Sequence, residues 1–206
     1  MDFDKVLDIL AAFFEREGFR FAAIGAFGLH AYGLSRATLD LDLATEEAAQ
    51  SRLVAFLESL GYETLHRSEG YSNHLHPDSD LGRIDFVYVS GETSRLLFAG
   101  GGTVLHLGAG TVPVPRAEHL VAMKVHAMRK DPSRTLQEMA DIQFLMRRPG
   151  VDDAVLRAYV APAGAGDEET LRGRPVSRTV VNASPDADSL VPLSGTLCAP
   201  IARFAP

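Results

Sequence analysis

Cysteine occurs once, at Cys198, which rules out an internal disulfide and a cysteine-rich zinc centre and fits a reducing compartment. No stretch approaches the ~18 consecutive apolar residues of a membrane span. The opening MDFDKVLDILAAFFEREGF sets acidic residues inside a helical pattern, unlike a secretory signal. A cytoplasmic protein with no membrane partner is the expectation. A Gly-x-Ser-x-Gly elbow, a Walker lysine loop and paired cysteines are also missing, so hydrolase, P-loop and redox chemistry lack support. Positive charge is the minority: 20 Lys and Arg stand against 27 Asp and Glu, and a net charge of −7 does not give the whole chain the footprint of a nucleic-acid binder.

What is present is enough apolar material for a core, 46% of 206 residues, as suits one soluble domain or one domain with an appendage. Apolar residues between 4 and 17 fall at helical spacing, with Gly18 placed to end the helix. Residues 20 to 24 read as a strand, Gly25 as a turn, the run to about Tyr32 as a short helix, and residues 39 to 43 as a second strand. A helix over 46 to 60 follows, with Thr45 as its N-cap and Gly61 as its stop. YETLHR, YSNHLHP, RIDFVYVS, TVLHL and TVPVP have strand length and pattern, the last two lying beyond a turn at residues 100 to 102. RAEHLVAMKVHAMRK reads as a helix broken by Pro132, and SRTLQEMADIQFLMRR as another with Ser133 as its N-cap. Six of the eleven prolines fall after Ala161, where no period persists. The expected layout is an α/β (α+β) domain over 1–160 and a disordered Pro/Ala/Gly-rich tail over 161–206.

Charge is unevenly spread. From Arg116 to Arg148 seven Lys or Arg face four Asp or Glu, so this segment offers either a basic face for phosphates or an ordinary solvated pair of helices.

Chemistry concentrates in RATLDLDLATE, residues 36 to 46. On a strand, Leu39, Leu41 and Leu43 point one way, and Asp40 and Asp42 share the other face. Two carboxylates there repel unless the face is wet or a divalent cation sits between them. Asp85 in IDFVYV is a third carboxylate in an apolar strand, where an unpaired charge needs a cation or a hydrogen-bonding partner. If the two strands are neighbours, the three carboxylates converge in a way that suits divalent metal and phosphoryl-type transfer. Gly25, at a strand end before a helix, lets phosphate oxygens approach backbone N–H groups, although many structural turns also want glycine there. His74 and His76, followed by Asp78 and Asp80, raise a zinc site, without third and fourth ligands at zinc-typical spacing.

The order Gly25-Ala26, thirteen intervening residues, Asp40-Leu41-Asp42 and a later Asp85 resembles the nucleotidyltransferase superfamily related to DNA polymerase β. The nearest resemblance is to its minimal bacterial branch, the AbiEii-type toxin nucleotidyltransferases: LHAYGLSRATLDLDL supplies Gly33, Arg36, Thr38, Asp40 and Asp42, and HLVAMKVHAMRKDPSRTLQEMADIQFL supplies Lys124 and Asp141. It covers residues 19 to 148. The resemblance implies a mixed, twisted sheet flanked by helices, with Mg²⁺ or Mn²⁺ and an NTP such as ATP as cofactor and co-substrate. It implies that Asp40, Asp42 and Asp85 are catalytic and bind metal. Gly25, Ala26, Arg36, Thr38, Lys124 and Asp141 would bind the nucleotide, with Lys124 reaching its phosphates. Ala26 stands where the family has Gly or Ser, and the tail stands where further helices normally follow.

Bland alternatives accompany these roles. Arg36 could salt-bridge the Asp40–Asp42 pair instead, Lys124 could snorkel to solvent, and Asp141 could cap a local network or pair with Lys124 or Arg129, holding the lysine in place. The expected function is transfer of NMP from an NTP to a hydroxyl of RNA (such as tRNA) or protein, with a role as a toxin with a cognate antitoxin as one form of it. The alternatives are an aminoglycoside-type small-molecule nucleotidyltransferase and a non-catalytic module that binds a nucleotide or partner.

Overall fold

The computed structural model describes residues 1–107, 110–152 and 154–155, so the expected tail and the domain boundary at 160 lie outside the described residues. Helix α1, Phe3–Glu17, starts where the Asp2 carboxylate accepts a hydrogen bond from the Lys5 N–H and stops at Gly18, whose φ of 71° is left-handed. Its Val6, Leu7, Leu10, Phe13 and Phe14 are buried, the face that the helical spacing predicts. Phe14 stacks on Phe21 at 4.4 Å between ring centroids, which ties α1 to strand β1, Phe21–Ala23.

The chain then forms α2 (Gly25–Ala31), β2 (Asp40–Glu46), α3 (Gln50–Ser59), β3 (Glu63–Arg67), β4 (Tyr71–Leu75) and β5 (Arg83–Val89). Helix α4 (Gly91–Leu97), strands β6 (Thr103–Leu107) and β7 (Gly110–Val114), and helices α5 (Ala117–Lys130) and α6 (Thr135–Met146) complete it. Five strands make one sheet in the order β1-β2-β5-β4-β3, and β6 and β7 pair separately. Strand β2 runs parallel to β5 while the other neighbours are antiparallel, so the sheet is mixed as expected. The return from β2 to β5 passes through α3 and the β3–β4 hairpin, which supplies the long crossover that a parallel pair requires.

Leu41, Leu43, Ile84 and Phe86 are fully buried in a core that extends to Leu53 and Leu57 of α3, Leu105 of β6, Val112 of β7, Leu120, Val121 and Val125 of α5, and Leu145 of α6. Burying a Leu or Phe side chain contributes roughly 1.5–3 kcal/mol, so this core dominates the stability.

Several local expectations are corrected. Strand β2 begins at Asp40, and Leu39 is 91% exposed instead of facing the core with Leu41 and Leu43. The strand also runs to Glu46. Thr45 is therefore no helix cap: it is buried in the ladder, with its hydroxyl donating to the Arg20 carbonyl at 2.8 Å, and a 3₁₀ turn over Glu47–Ala49 precedes α3. Asp131, not Ser133, makes the cap before α6, accepting from the Ser133 N–H at 3.0 Å at the head of a 3₁₀ turn over Pro132–Arg134. Helix α4 was not expected.

His74 is fully buried between strands, with Nδ1 3.1 Å from the Thr64 hydroxyl and Nε2 2.8 Å from the Ser72 hydroxyl, which in turn lies 2.7 Å from the Tyr88 hydroxyl. Burial lowers its pKa, so the folded protein holds it neutral. Below the unfolded value of about 6.5 the unfolded chain gains the proton first. The contribution is complete above that pH and is lost as pH falls through it toward the lower folded value. The parent is expected to lose more melting temperature between pH 7.5 and pH 5.5 than His74→Gln does; equal losses in thermal melts would assign the pH dependence elsewhere.

Candidate active site

The parallel register sets Asp42 opposite Asp85 and Asp40 opposite Arg83. Asp40, Asp42 and Asp85 each bring a carboxylate oxygen within 4.8 Å of the other two. Among the described residues this is the one group of three or more potential ligands that could hold a metal ion. The histidine alternative has no counterpart: His74 is committed to Thr64 and Ser72, and His76 lies past the end of β4, beside the Leu60 carbonyl and the Asp78 N–H.

The three carboxylates differ in their surroundings. Asp40 accepts from the Thr38 hydroxyl at 2.5 Å, so Thr38 braces the start of β2. Asp85 accepts both arms of a guanidinium, from Arg83 Nε to Oδ1 at 2.9 Å and from Nη2 to Oδ2 at 3.0 Å, and a third bond from the Tyr71 hydroxyl at 2.7 Å. The Tyr71 phenol is raised by burial and by Asp85, so it remains a donor throughout the physiological range. Asp42 has no comparable partner among the described residues. Its pKa is pushed up to about 7, first by burial and then by the negative charges of Asp40 and Asp85, with Arg134 and Lys124 pulling the other way. An oxygen-rich, anionic, incompletely neutralised set of this kind fits a hard divalent cation such as Mg²⁺ or Mn²⁺.

Gly25 closes the other side. A Cβ there would stand 2.0 Å from Asp42 Oδ2, and its φ of 55° is left-handed, so glycine is required twice over. Ala26 follows in the first turn of α2, where backbone N–H groups have no intrahelical acceptor.

The remaining candidates gather on α5, α6 and the loop before β2. Lys124 Nζ donates to Glu138 Oε2 at 2.8 Å and Asp141 Oδ2 at 2.7 Å, with only 12% of its side chain exposed. It does not snorkel. Arg36 pairs with Asp141 at 2.6 Å rather than with Asp40 or Asp42, and Arg134 pairs with Glu138 at 2.6 Å. The Gln137 amide, with its oxygen turned to the guanidinium, also accepts from Arg36. Gly33 has a φ of 96° in the loop leading to Arg36.

Arg83, Tyr71 and Glu138 were not singled out in the sequence. Arg83, two residues before Asp85, shares its strand face by alternation. Tyr71 depends on the β4–β5 register and Glu138 on the α5–α6 packing, neither of which the sequence displays. Across from Asp85 in that register, Asn73 keeps its buried Oδ1 without a hydrogen-bond partner among the described residues.

No family model and no curated protein sequence matches the chain. Solved structures do. An antigenic nucleotidyltransferase-like protein from Paracoccidioides brasiliensis is 14% identical, with 84% of this chain and 91% of that chain covered and a TM-score of 0.51. The antibiotic-resistance factor ANT(2'')-Ia is 16% identical over 84% and 91% of the two chains, with a TM-score of 0.49. The lincosamide antibiotic adenylyltransferase LnuA is 15% identical over 69% and 96%, with a TM-score of 0.47. At these identities the likeness concerns the fold, and the match to the Paracoccidioides protein supports it: the chain has a nucleotidyltransferase-type fold.

Two substitutions test the electrostatics. Because folding raises the Asp42 pKa, the folded state binds the extra proton between about 4 and 7 and stability falls as pH rises through that window. Asp42→Asn should therefore melt higher than the parent at pH 8 in EDTA, and the gap should close toward pH 4; a gap independent of pH would contradict the raised pKa. Lys124→Ala should cost about 3–5 kcal/mol, because it leaves two buried carboxylates short of their cation. Denaturant titration checks this, and a loss under about 1 kcal/mol would mean that Arg36 and Arg134 already neutralise the pair.

Proposed function

We propose that this chain is a metal-dependent nucleotidyltransferase that moves a nucleoside monophosphate from an NTP to a hydroxyl of an acceptor and releases pyrophosphate. What carries this reading is Asp42: a carboxylate pressed against a bare glycine, beside two more carboxylates, with its charge incompletely neutralised at neutral pH. Burying clustered charge is costly without a function that uses it.

Asp40 and Asp42 would hold Mg²⁺ or Mn²⁺, which when bound offsets the charge on the phosphoryl oxygens. Gly25 and Ala26 present backbone N–H groups and no bulk, so triphosphate oxygens can come close to Asp42. Asp85 has one of about four lone-pair sites left after Arg83 and Tyr71 take three, enough to accept one hydroxyl proton. The acceptor oxygen bonds to the α-phosphorus as the bond to the bridging oxygen of pyrophosphate breaks, and Asp85 takes the hydroxyl proton. Lys124 and Arg134 add positive potential where charge builds up; both already act on Asp42. Thr38, Arg36 and Asp141 hold the loop and helix that frame the site.

For the acceptor we favour RNA such as tRNA, or protein, with the chain acting in the cytoplasm as an AbiEii-like toxin restrained by an antitoxin. The basic segment from Arg116 to Arg148 supports this, since two of its cations, Lys124 and Arg134, lie close enough to act on Asp42. An aminoglycoside-type acceptor is the competing outcome.

The deciding experiment incubates the full chain with each α-labelled NTP, Mg²⁺, and separately total RNA, protein extract and aminoglycosides. Label should appear in one macromolecular pool and drop by two or more orders of magnitude in Asp42→Asn, which removes the charge that holds the cation. Label in the aminoglycoside pool replaces the acceptor. Tight NTP binding with no transfer anywhere would leave a binding module.

A further inference from the structure

Asp85 does not stand bare. Its two oxygens meet the fork of Arg83 from the same strand, and Tyr71 reaches across from β4 to the same Oδ2. A guanidinium in this position does what a cation bound to Asp85 would do: it neutralises the charge and occupies the lone pairs. The two ends of the pair are unequal. Asp85 keeps 10% of its side-chain surface exposed and Arg83 keeps 42%, so Arg83 can swing into water at little desolvation cost while Asp85 cannot follow. Arg83 is also the cross-strand partner of Asp40, so it is attached to the sheet beside the carboxylate strand while its guanidinium sits on Asp85.

We propose that Arg83 is a positioning residue that serves as the resident counter-cation of Asp85 and competes with divalent metal for it, so that the bare site takes one ion at Asp40 and Asp42 and a second only when Arg83 lets go. This rests on the metal site proposed above. The balance of charge supports it: three carboxylates and one guanidinium carry a net charge of two negative units when all are ionised, which one divalent ion satisfies.

Mn²⁺ titration of the full chain, without nucleotide and at a pH above 8, tests it by stoichiometry and affinity. The parent should bind one ion. Arg83→Gln should bind two, or one ion roughly tenfold tighter, because a unit positive charge has left the site. Arg83→Lys, which restores the charge, should return the parental behaviour, whereas a merely structural role would distinguish lysine from arginine and leave the metal count unmoved. Asp42→Asn serves as the reference that loses the first ion. Binding by the parent with the same stoichiometry and affinity in Arg83→Gln overturns the inference alone. No binding by the parent or by Arg83→Gln overturns the metal site and the inference with it. Should Arg83→Gln be unstable in EDTA, Mn²⁺ must raise its melting temperature further than it raises the parent's, since the ion replaces the missing guanidinium. Failure to do so also overturns the inference.

Discussion

The parallel pairing of β2 with β5 is the constraint on which the rest of the structure depends. It puts Asp42 opposite Asp85 on one face of the sheet while Leu41, Leu43, Ile84 and Phe86 fill the core on the other. A slip of one residue would send the carboxylates into the core and the leucines out, so the apolar face fixes the register and the register assembles the site. Repulsion among the carboxylates is the consequence, and their surroundings answer it with Arg83 at Asp85, Thr38 at Asp40, and the more distant charges of Lys124 and Arg134 at Asp42. The compensation is incomplete at Asp42, and this is where the site departs from what stability alone would select.

A second device ties the site to the helices. Lys124 on α5 bridges Glu138 and Asp141 on α6, and Asp141 reaches Arg36 in the loop before β2. A buried cation shared by two buried carboxylates contributes little net stability compared with an apolar contact of equal volume, but it allows only one geometry. It fixes α6 against α5 and the 33–39 loop against α6, so the loop that delivers Thr38 and Asp40 is held from both ends. Lys124 thus organises the helices instead of reaching solvent, and it lies close enough for its charge to act on Asp42.

How much of this was legible follows from the range of each interaction. Alternation within RATLDLDLATE put Asp40 and Asp42 on one face, and the polar intruder in IDFVYV marked Asp85, because period and composition are local. Most strands and helices could be read in the same way, whereas the Lys124–Asp141 contact depends on how α5 packs on α6. The start of β2 could not: Leu39 continues the alternating pattern, yet the Thr38–Asp40 contact begins the ladder one residue later. Thr45 carried a good capping signal that lost to strand pairing with β1, whose Phe21 is its partner in the ladder. The partners of Asp85 were hidden for a different reason. Tyr71 is fourteen residues away in sequence and meets Asp85 only through the β4–β5 register.

The fold itself does not decide between a catalyst and a retained scaffold, because a sheet flanked by helices can keep its core with any residues on the wet face. The feature that favours the proposed catalyst is the cost at Asp42. A binding module could exchange this carboxylate for asparagine, which has the same size, and relieve the repulsion and the cost of a buried charge with Gly25 unchanged. Both positions instead keep the pairing that leaves the greatest charge in the least space: glycine because any Cβ would strike the carboxylate, and aspartate although its ionised form is disfavoured. Charge held under those conditions would be stabilised by a cation, which in turn would attract negative charge developing beside it.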